Sequence, residues 1–186
     1  MRCLNSRAIR VQIPHFSFVL FVTLGSFPLL VQGQEKERAG KHSAYRTISV
    51  DGLSIFYREA GPKNAPTLLL LHGFPSSSRM FEPLFARLSD RYHLLAPDYP
   101  GFGHSDWPDP KQFSYRCDHI AEIMSHFTEA LGLSRYTLYM QDYGGPVGFR
   151  MILAHPDRAQ ALIVQDAVAH NTGLGANSNT RRAFLG

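Results

Sequence analysis

The sequence predicts an α/β fold with a mostly parallel sheet and helices on both faces of that sheet. Three observations predict this class: a hairpin signal near the start, apolar runs without polar alternation, and helical periodicities that alternate with those runs. In chain order the predicted strands are 47–50, 53–58, 67–71, 92–96, 136–141 and 161–165.

Each element has its own local signal. Asp51-Gly52 between two alternating runs is typical of a two-residue hairpin turn. The run TLLLL at 67–71 has no polar alternation, which favours a strand buried on both faces. A helix is predicted around 80–88, with its regular part delayed by Pro83, and two more over about 114–131 and 144–155. Gly132 and Pro156 follow these last two helices and end them.

Composition favours one globular domain and gives no support to a nucleic-acid partner. The chain has 186 residues, of which 44% are hydrophobic and 18% charged, so it is too apolar to be disordered. Its net charge of +4 depends on Arg2, Arg7 and Arg10, because without residues 1–33 there remain 16 bases and 15 acids. The fold itself therefore carries no predicted basic patch.

Residues 1–33 are predicted to be a signal peptide. A basic start precedes an apolar stretch at 16–31, which contains Gly25, Ser26 and Pro28 and is shorter than the roughly 20 residues of a membrane span. We therefore expect a secreted or periplasmic protein with no stable membrane span after cleavage. A membrane anchor and a misplaced start codon are the alternatives. Residues 34–46 are expected to form a flexible lead-in.

The pattern of cysteines and glycines predicts no metal and no cofactor. Cys117 is the single cysteine after the leader, so we expect a small buried hydrophobe rather than a disulfide or a metal ligand. The segment 97–106, PDYPGFGHSD, has Asp106 where a dinucleotide-binding fingerprint needs glycine. We expect this segment to be a turn-rich loop that holds the floor of a site.

The most informative segment is YTLYMQDYGG at 136–145, in which a strand runs directly into a helix. Asp142 stands on the sharp turn between them, and Gly144-Gly145 would let the helix pack close to the strand. A carboxylate there, beside a helix N-terminus, suits attack on an sp³ carbon with formation of a covalent ester. The alternative is an aspartate that merely caps the helix.

A second segment, HGFP at 72–75, follows the buried strand 67–71 directly. Its Phe74 N–H could point at the turn and form an oxyanion hole with the Tyr143 N–H. His72, which precedes these donors, is expected to brace the loop, and Gly73 and Gly144 are expected to support the site.

Taken together, HGFP, PDYPGFGHSD, QDYGG and the AHPDR of 154–158 resemble the α/β-hydrolase fold family. Within that family they look like the branch of haloalkane dehalogenases and epoxide hydrolases, over about residues 47–182. The resemblance implies that Asp142 is the nucleophile and that the N–H groups of Phe74 and Tyr143 are the oxyanion donors. It also implies a small apolar substrate with an epoxide, halide or ester leaving group, and no cofactor.

The chain departs from the family pattern at the residues that flank the nucleophile. Dehalogenases commonly carry Asn after His-Gly and Trp after the nucleophile, and these side chains hold the departing halide. Here the positions are Phe74 and Tyr143. The His-Gly-x-Pro pattern with Phe is closer to epoxide hydrolases and to general members of the family, whereas Gln141-Asp142 is closer to dehalogenases. Met140 also stands where the family usually has a small residue. The substrate is therefore left open between these classes.

The family's catalytic set also includes an acid and a histidine. Asp166 lies 24 residues after Asp142 at the end of a strand, so it is either the acid that orients the catalytic histidine or a turn residue. The family's histidine follows the last strand, and none of the nine histidines of this chain has such a position.

Two hypotheses follow from the reading of 47–170 as the N-terminal part of the domain, with about six of eight strands, and of 171–186 as the start of a truncated cap. In the first, the chain is part of a hydrolase with an Asp nucleophile and does not turn over alone. In the second, it is an inactive relative that binds ligands or partners through its open sheet edge.

Overall fold

The computed structural model describes residues 43–169, and those residues form the described part of the chain. The predicted signal peptide 1–33 and the predicted cap start 171–186 lie outside them. Within residues 43–169, no helix is long and apolar enough to cross a membrane. The same residues contain no cluster of histidine, cysteine and carboxylate side chains that could hold a metal ion.

Six strands and three α-helices make up the described part. The strands are β1 Ala44–Val50, β2 Leu53–Ala60, β3 Thr67–Leu71, β4 His93–Pro97, β5 Tyr136–Gln141 and β6 Ala159–Gln165. The helices are α1 Glu82–Leu88, α2 Cys117–Ala130 and α3 Gly144–Ala154. Short 3₁₀ turns at Ser78–Phe81 and Pro156–Arg158 precede α1 and β6.

The strands form one sheet in the order β1-β2-β4-β3-β5-β6. The pairs β1/β2 and β2/β4 are antiparallel, whereas β4/β3, β3/β5 and β5/β6 are parallel. Asp51 and Gly52 both have positive φ, as the predicted hairpin turn requires. The predicted α/β class with a mostly parallel sheet is therefore confirmed.

The two faces of the sheet are covered by different helices. Leu68, Leu70 and Leu94 pack with Phe81 and Phe85 of the α1 region on one face. The alternate residues of the same strands point to the other face, where they form a larger core with α2 and α3, including Leu69, Leu71, Leu95, Phe127 and Met151. This alternation explains why β3 and β4 show no polar pattern, since both of their faces are buried.

Several predicted boundaries were wrong by a few residues. Strand β1 begins at Ala44, so residues 44–46 of the predicted lead-in are strand, because they pair with 57–59 of β2. Helix α2 begins at Cys117 rather than near 114, because Arg116 is extended at the N-cap. The α1 region was predicted well, since a 3₁₀ turn comes first and Pro83 lies in the first turn of the regular helix.

Strand β6 lies at the edge of the sheet and is poorly covered among the described residues. Leu162, Ile163 and Val164 are 45%, 42% and 48% exposed. The strand carries no charged residue, a composition typical of strand edges that pair with another chain. Within residues 43–169 the sheet is therefore open on this side.

Candidate active site

The turn between β5 and α3 brings Asp142 to the carboxyl edge of the sheet. Its φ of 49° is left-handed, a conformation that Asp tolerates better than most residues. The backbone is fixed on both sides, because the Asp142 N–H donates to the Gln165 carbonyl at 3.3 Å and the Asp142 carbonyl accepts from the Gly145 N–H at 3.0 Å. The side chain is thus presented on a constrained turn.

Two glycines of α3 allow the helix to approach the central strands. A Cβ on Gly144 would collide with the carbonyl oxygen of Leu71 in β3, and it would lie 2.9 Å from the carbon of the same carbonyl. A Cβ on Gly148 would collide with the sulfur of Met140 and lie 2.8 Å from its Cγ. Gly148 therefore makes the room that the large Met140, buried in β5, requires.

The HGFP segment crosses directly beside Asp142. A Cβ on Gly73 would lie 2.6 Å from the Cβ of Asp142, so another residue would force the two segments apart. The Phe74 N–H donates to Asp142 Oδ1 at 3.0 Å, and the peptide bond between Phe74 and Pro75 is cis. Within residues 43–169, Asp142 Oδ2 receives no hydrogen bond.

Tyr143 and Phe74 flank the carboxylate with aromatic rings. Tyr143 is the N-cap residue of α3, and its ring centroid lies 5.7 Å from that of Phe74. Phe74, which is 56% exposed, also contacts Phe102 from the loop after β4, at 6.0 Å. Phe74 therefore joins two further aromatic rings at this end of the sheet, and none of the three side chains carries an N–H donor.

His72 is fully buried under the HGFP loop. Its Nε2 accepts from the Tyr99 N–H at 3.3 Å, so the proton is on Nδ1, which donates to the Gly73 carbonyl at 2.8 Å. Its ring stacks on that of Tyr99 with centroids 4.1 Å apart. Burial lowers the pKa of His72, although the hydrogen bond to Gly73 opposes this effect. The side chain is therefore a neutral link between two loops.

Asp98 connects the 3₁₀ turn after the HGFP segment to the loop after β4. The sequence did not single it out. It is fully buried, and its carboxylate accepts from the Ser78 N–H at 2.6 Å and from the His104 N–H at 2.9 Å. Its carbonyl accepts from the Ser105 hydroxyl at 2.7 Å. An aspartate directly after a buried strand and before a glycine-rich turn was the signal that could have identified it.

Asp166 follows β6 as Asp142 follows β5, and its φ of 46° is nearly the same. It is exposed, and it shares no hydrogen bond with Asp142. The next residue, Ala167, packs near Gly145, where an added Cβ would lie 2.6 Å from the Ala167 Cβ. The structure therefore places Asp166 at the same sheet edge as Asp142 but brings the two carboxylates into no contact.

A small apolar cavity of about 10 Å³ lies beneath the aromatic rings, enough for about one water molecule. Gly73, Phe74, Tyr99, Phe102 and Tyr143 are among the residues that line it. Burial raises the pKa of Tyr99 well above its ordinary value, and it raises the pKa of Cys117 to about 11. Cys117 is buried, as its isolation in the sequence predicted, and its raised pKa keeps the thiol protonated.

Sequence comparison identifies the class to which this fold and turn belong. The family described as alpha/beta hydrolase fold matches residues 66–184, and the chain belongs to that family. An uncharacterized hydrolase of Saccharomyces cerevisiae is 42% identical over 124 residues, which are 67% of this chain and 42% of that protein. Haloalkane dehalogenase 2 of Mycobacterium tuberculosis is 36% identical over 110 residues, 59% of this chain and 37% of that protein.

Solved structures agree with the family. A membrane phospholipase A described as a bacterial virulence factor has a TM-score of 0.66 at 34% identity, covering 72% of this chain and 42% of its own. The epoxide hydrolase CorEH has a TM-score of 0.65 at 23% identity, covering 73% of this chain and 46% of its own, and at that identity it supports the fold alone. The chain spans about two fifths of the length of the curated relatives it matches.

Proposed function

We propose that this chain carries the nucleophile of a hydrolase, with Asp142 attacking an sp³ carbon to form a covalent ester. The observation that carries the proposal is the asymmetry of the Asp142 carboxylate. Oδ1 accepts the Phe74 N–H at 3.0 Å, whereas Oδ2 receives no hydrogen bond within residues 43–169. Oδ2 is therefore the oxygen available for attack, and Oδ1 becomes the ester carbonyl oxygen on its donor.

The attack on an epoxide balances without a cofactor. Asp142 Oδ2 forms a bond to one epoxide carbon, the bond between that carbon and the ring oxygen breaks, and the resulting alkoxide takes a proton from solvent. Hydrolysis of the ester would then need a water molecule that loses a proton to a base and attacks the ester carbonyl carbon. That second step releases a diol and restores the carboxylate.

The residues beside Asp142 favour an epoxide over a haloalkane. The side chains of Phe74 and Phe102 offer no hydrogen-bond donor to a departing halide, and that of Tyr143 offers a single phenolic O–H. An opened epoxide keeps its oxygen attached to the product, so no separate anion has to be held. Haloalkanes are the second candidate, because a relative 36% identical to this chain is named a haloalkane dehalogenase.

The described residues supply the first step but no base for the second. No histidine within residues 43–169 hydrogen-bonds to Asp142, and His72 uses both ring nitrogens on backbone groups. We therefore propose that the chain forms the ester and hydrolyses it very slowly. Asp166 remains the candidate for the carboxylate that would orient a base, because its turn ends the neighbouring parallel strand.

The experiment is intact-mass analysis of the full chain after incubation with styrene oxide or with 1-bromobutane. An epoxide adduct adds the whole mass of the epoxide, whereas a haloalkane adduct adds the alkyl group less one hydrogen. We expect the epoxide adduct, located on Asp142 by peptide mapping, and we expect its loss in Asp142→Asn. The matched control is Asp166→Asn, which replaces an aspartate of the same backbone conformation and should still form the adduct.

Each outcome decides between the candidate functions. An adduct with 1-bromobutane alone would replace the epoxide assignment with a dehalogenase-type first step. Steady release of diol would contradict slow hydrolysis and would show that a base acts in the second step. A folded protein that reacts with neither compound would favour the inactive relative that binds partners through its sheet edge.

A further inference from the structure

A second cavity, of about 690 Å³, opens on the face of the sheet that α1 covers. It lies beside the N-terminus of that helix. Its walls come from β1 and β2, from the 3₁₀ turn and first residue of α1, and from the loop after β4. The residues that matter here are Tyr45, Phe56, Arg58, Arg79, Glu82 and His104. None of them lines the small cavity beneath the rings of Phe74 and Tyr143, so the two cavities are distinct.

The strand register explains why these side chains meet. Tyr45 pairs with Arg58 and Thr47 with Phe56, so the four side chains point to the same face of the β1/β2 hairpin. The rings of Tyr45 and Phe56 stack with centroids 6.1 Å apart, and the Phe56 ring contacts that of His104 at 4.8 Å. The result is an aromatic wall, and its Tyr45 is 61% exposed.

Arg58 is a buried cation at the base of this wall. It is 7% exposed and lies over the Tyr45 ring at 4.7 Å. Its Nε donates to the Ser78 hydroxyl at 3.0 Å and its Nη1 to Glu82 at 2.5 Å. Its Nη2 has no partner among residues 43–169, so the two N–H groups of that nitrogen remain for a ligand.

Arg79 supplies a second positive charge at the rim. It is exposed, and within residues 43–169 its guanidinium makes neither an ion pair nor a hydrogen bond. With Arg58 and Arg79 against Glu82, the formal charges of these three residues leave one positive charge unbalanced. A single anionic group is the charge that the cavity can neutralise, and guanidinium groups bind carboxylates well.

We propose that this cavity is an accessory binding site for a flat aromatic carboxylate. The carboxylate binds Arg79 and the Nη2 of Arg58, and the ring lies against Tyr45. The site is separate from Asp142 and does not depend on the hydrolase proposal.

The test measures binding of benzoate to the full chain by isothermal titration calorimetry. We expect a dissociation constant of about 1 mM, as is usual for so small a ligand. Arg79→Gln should weaken binding about tenfold, the loss of one charge-assisted contact. The matched control is Arg87→Gln, because Arg87 is exposed on α1 outside the cavity and its loss should change nothing.

Further measurements test whether binding depends on the charge of the cavity, on the aromatic ring of the ligand and on a location away from Asp142. Glu82→Gln should tighten benzoate binding, because it releases Arg58 from its carboxylate partner. Benzyl alcohol and cyclohexanecarboxylate should bind more weakly than benzoate, and Asp142→Asn should leave benzoate binding unchanged.

Four results would overturn the proposal. They are no benzoate binding at about 10 mM, equal binding by the Arg79→Gln variant, equal binding of benzoate and cyclohexanecarboxylate, and tighter binding of the dianion phenyl phosphate.

Discussion

Asp142 and Asp166 occupy the same kind of turn in two parts of one sheet. Each follows a parallel strand, Gln141 and Gln165 before them pair directly, and their φ angles are 49° and 46°. The surroundings differ. Asp142 is met by the HGFP loop, which donates the Phe74 N–H to its carboxylate, whereas Asp166 is exposed at the edge strand.

The difference shows what converts a turn into a site. A left-handed aspartate after a strand is a local feature, and β5 and β6 both have it. At Asp142 a second segment crosses within van der Waals contact, and buried groups such as His72 and Asp98 fix that segment. Asp166 shows no comparable support among residues 43–169.

The largest expected effect comes from pushing α3 away from β3. Gly144→Ala places a Cβ against the Leu71 carbonyl, a backbone group that cannot turn aside, and should lower the free energy of unfolding by about 3 kcal/mol. Urea denaturation followed by circular dichroism measures this change. Gly132→Ala is the matched control, because Gly132 has a φ of 68° with open space around it and should lose about 1 kcal/mol. Equal losses in the two variants would mean that the close approach of Gly144 to Leu71 adds nothing to the free energy of unfolding.

A smaller effect is expected in the pH dependence of stability. The pKa of His72 is lowered in the folded protein, so above its ordinary value of about 6.5 the ring is neutral in both states. As the pH falls below about 6.5, His72 is protonated in the unfolded chain but stays neutral in the folded chain. The free energy of unfolding therefore falls. We expect the free energy of unfolding to fall between about pH 6.5 and 5, as measured by urea titration.

The sign of the slope separates His72 from other groups. His72→Asn should flatten the decline, whatever its effect on stability at pH 7. His126 has its pKa raised by Asp51, so its contribution is present at low pH and is lost as the pH rises through its folded pKa. His126→Asn should therefore steepen the decline on the acid side. A decline unchanged in His72→Asn would contradict the assignment.

The smallest effect is expected at the unsupported turn. Asp166→Asn keeps a residue that tolerates the left-handed conformation and removes no hydrogen bond found within residues 43–169. The free energy of unfolding should change by less than about 0.5 kcal/mol, in either direction. A loss above about 2 kcal/mol would show that Asp166 has a partner and that the contrast with Asp142 is smaller than the structure indicates.

Sequence reasoning succeeded where the signal was local and failed where the cause was distant. The turn at Asp142 and the strands beside it could be predicted, because glycine spacing and apolar runs act within a few residues. The start of β1 at Ala44 could not, since pairing with β2 decides it. Asp98 was missed for the same reason, because its partners Ser78 and His104 are brought together by tertiary folding.

The contact between Met140 and Gly148 means that the residue tolerated at one position depends on the residue at the other. A Cβ at 148 would collide with the Met140 sulfur and lie 3.1 Å from Leu71 Cδ1, so we expect Gly148→Ala to cost less stability where residue 140 is smaller. The side chain of Met140 in β5 occupies the space that a side chain at position 148 of α3 would need. These two elements hold the nucleophile between them. Among relatives of this chain, we therefore expect a small residue at the strand position wherever the helix position is not glycine.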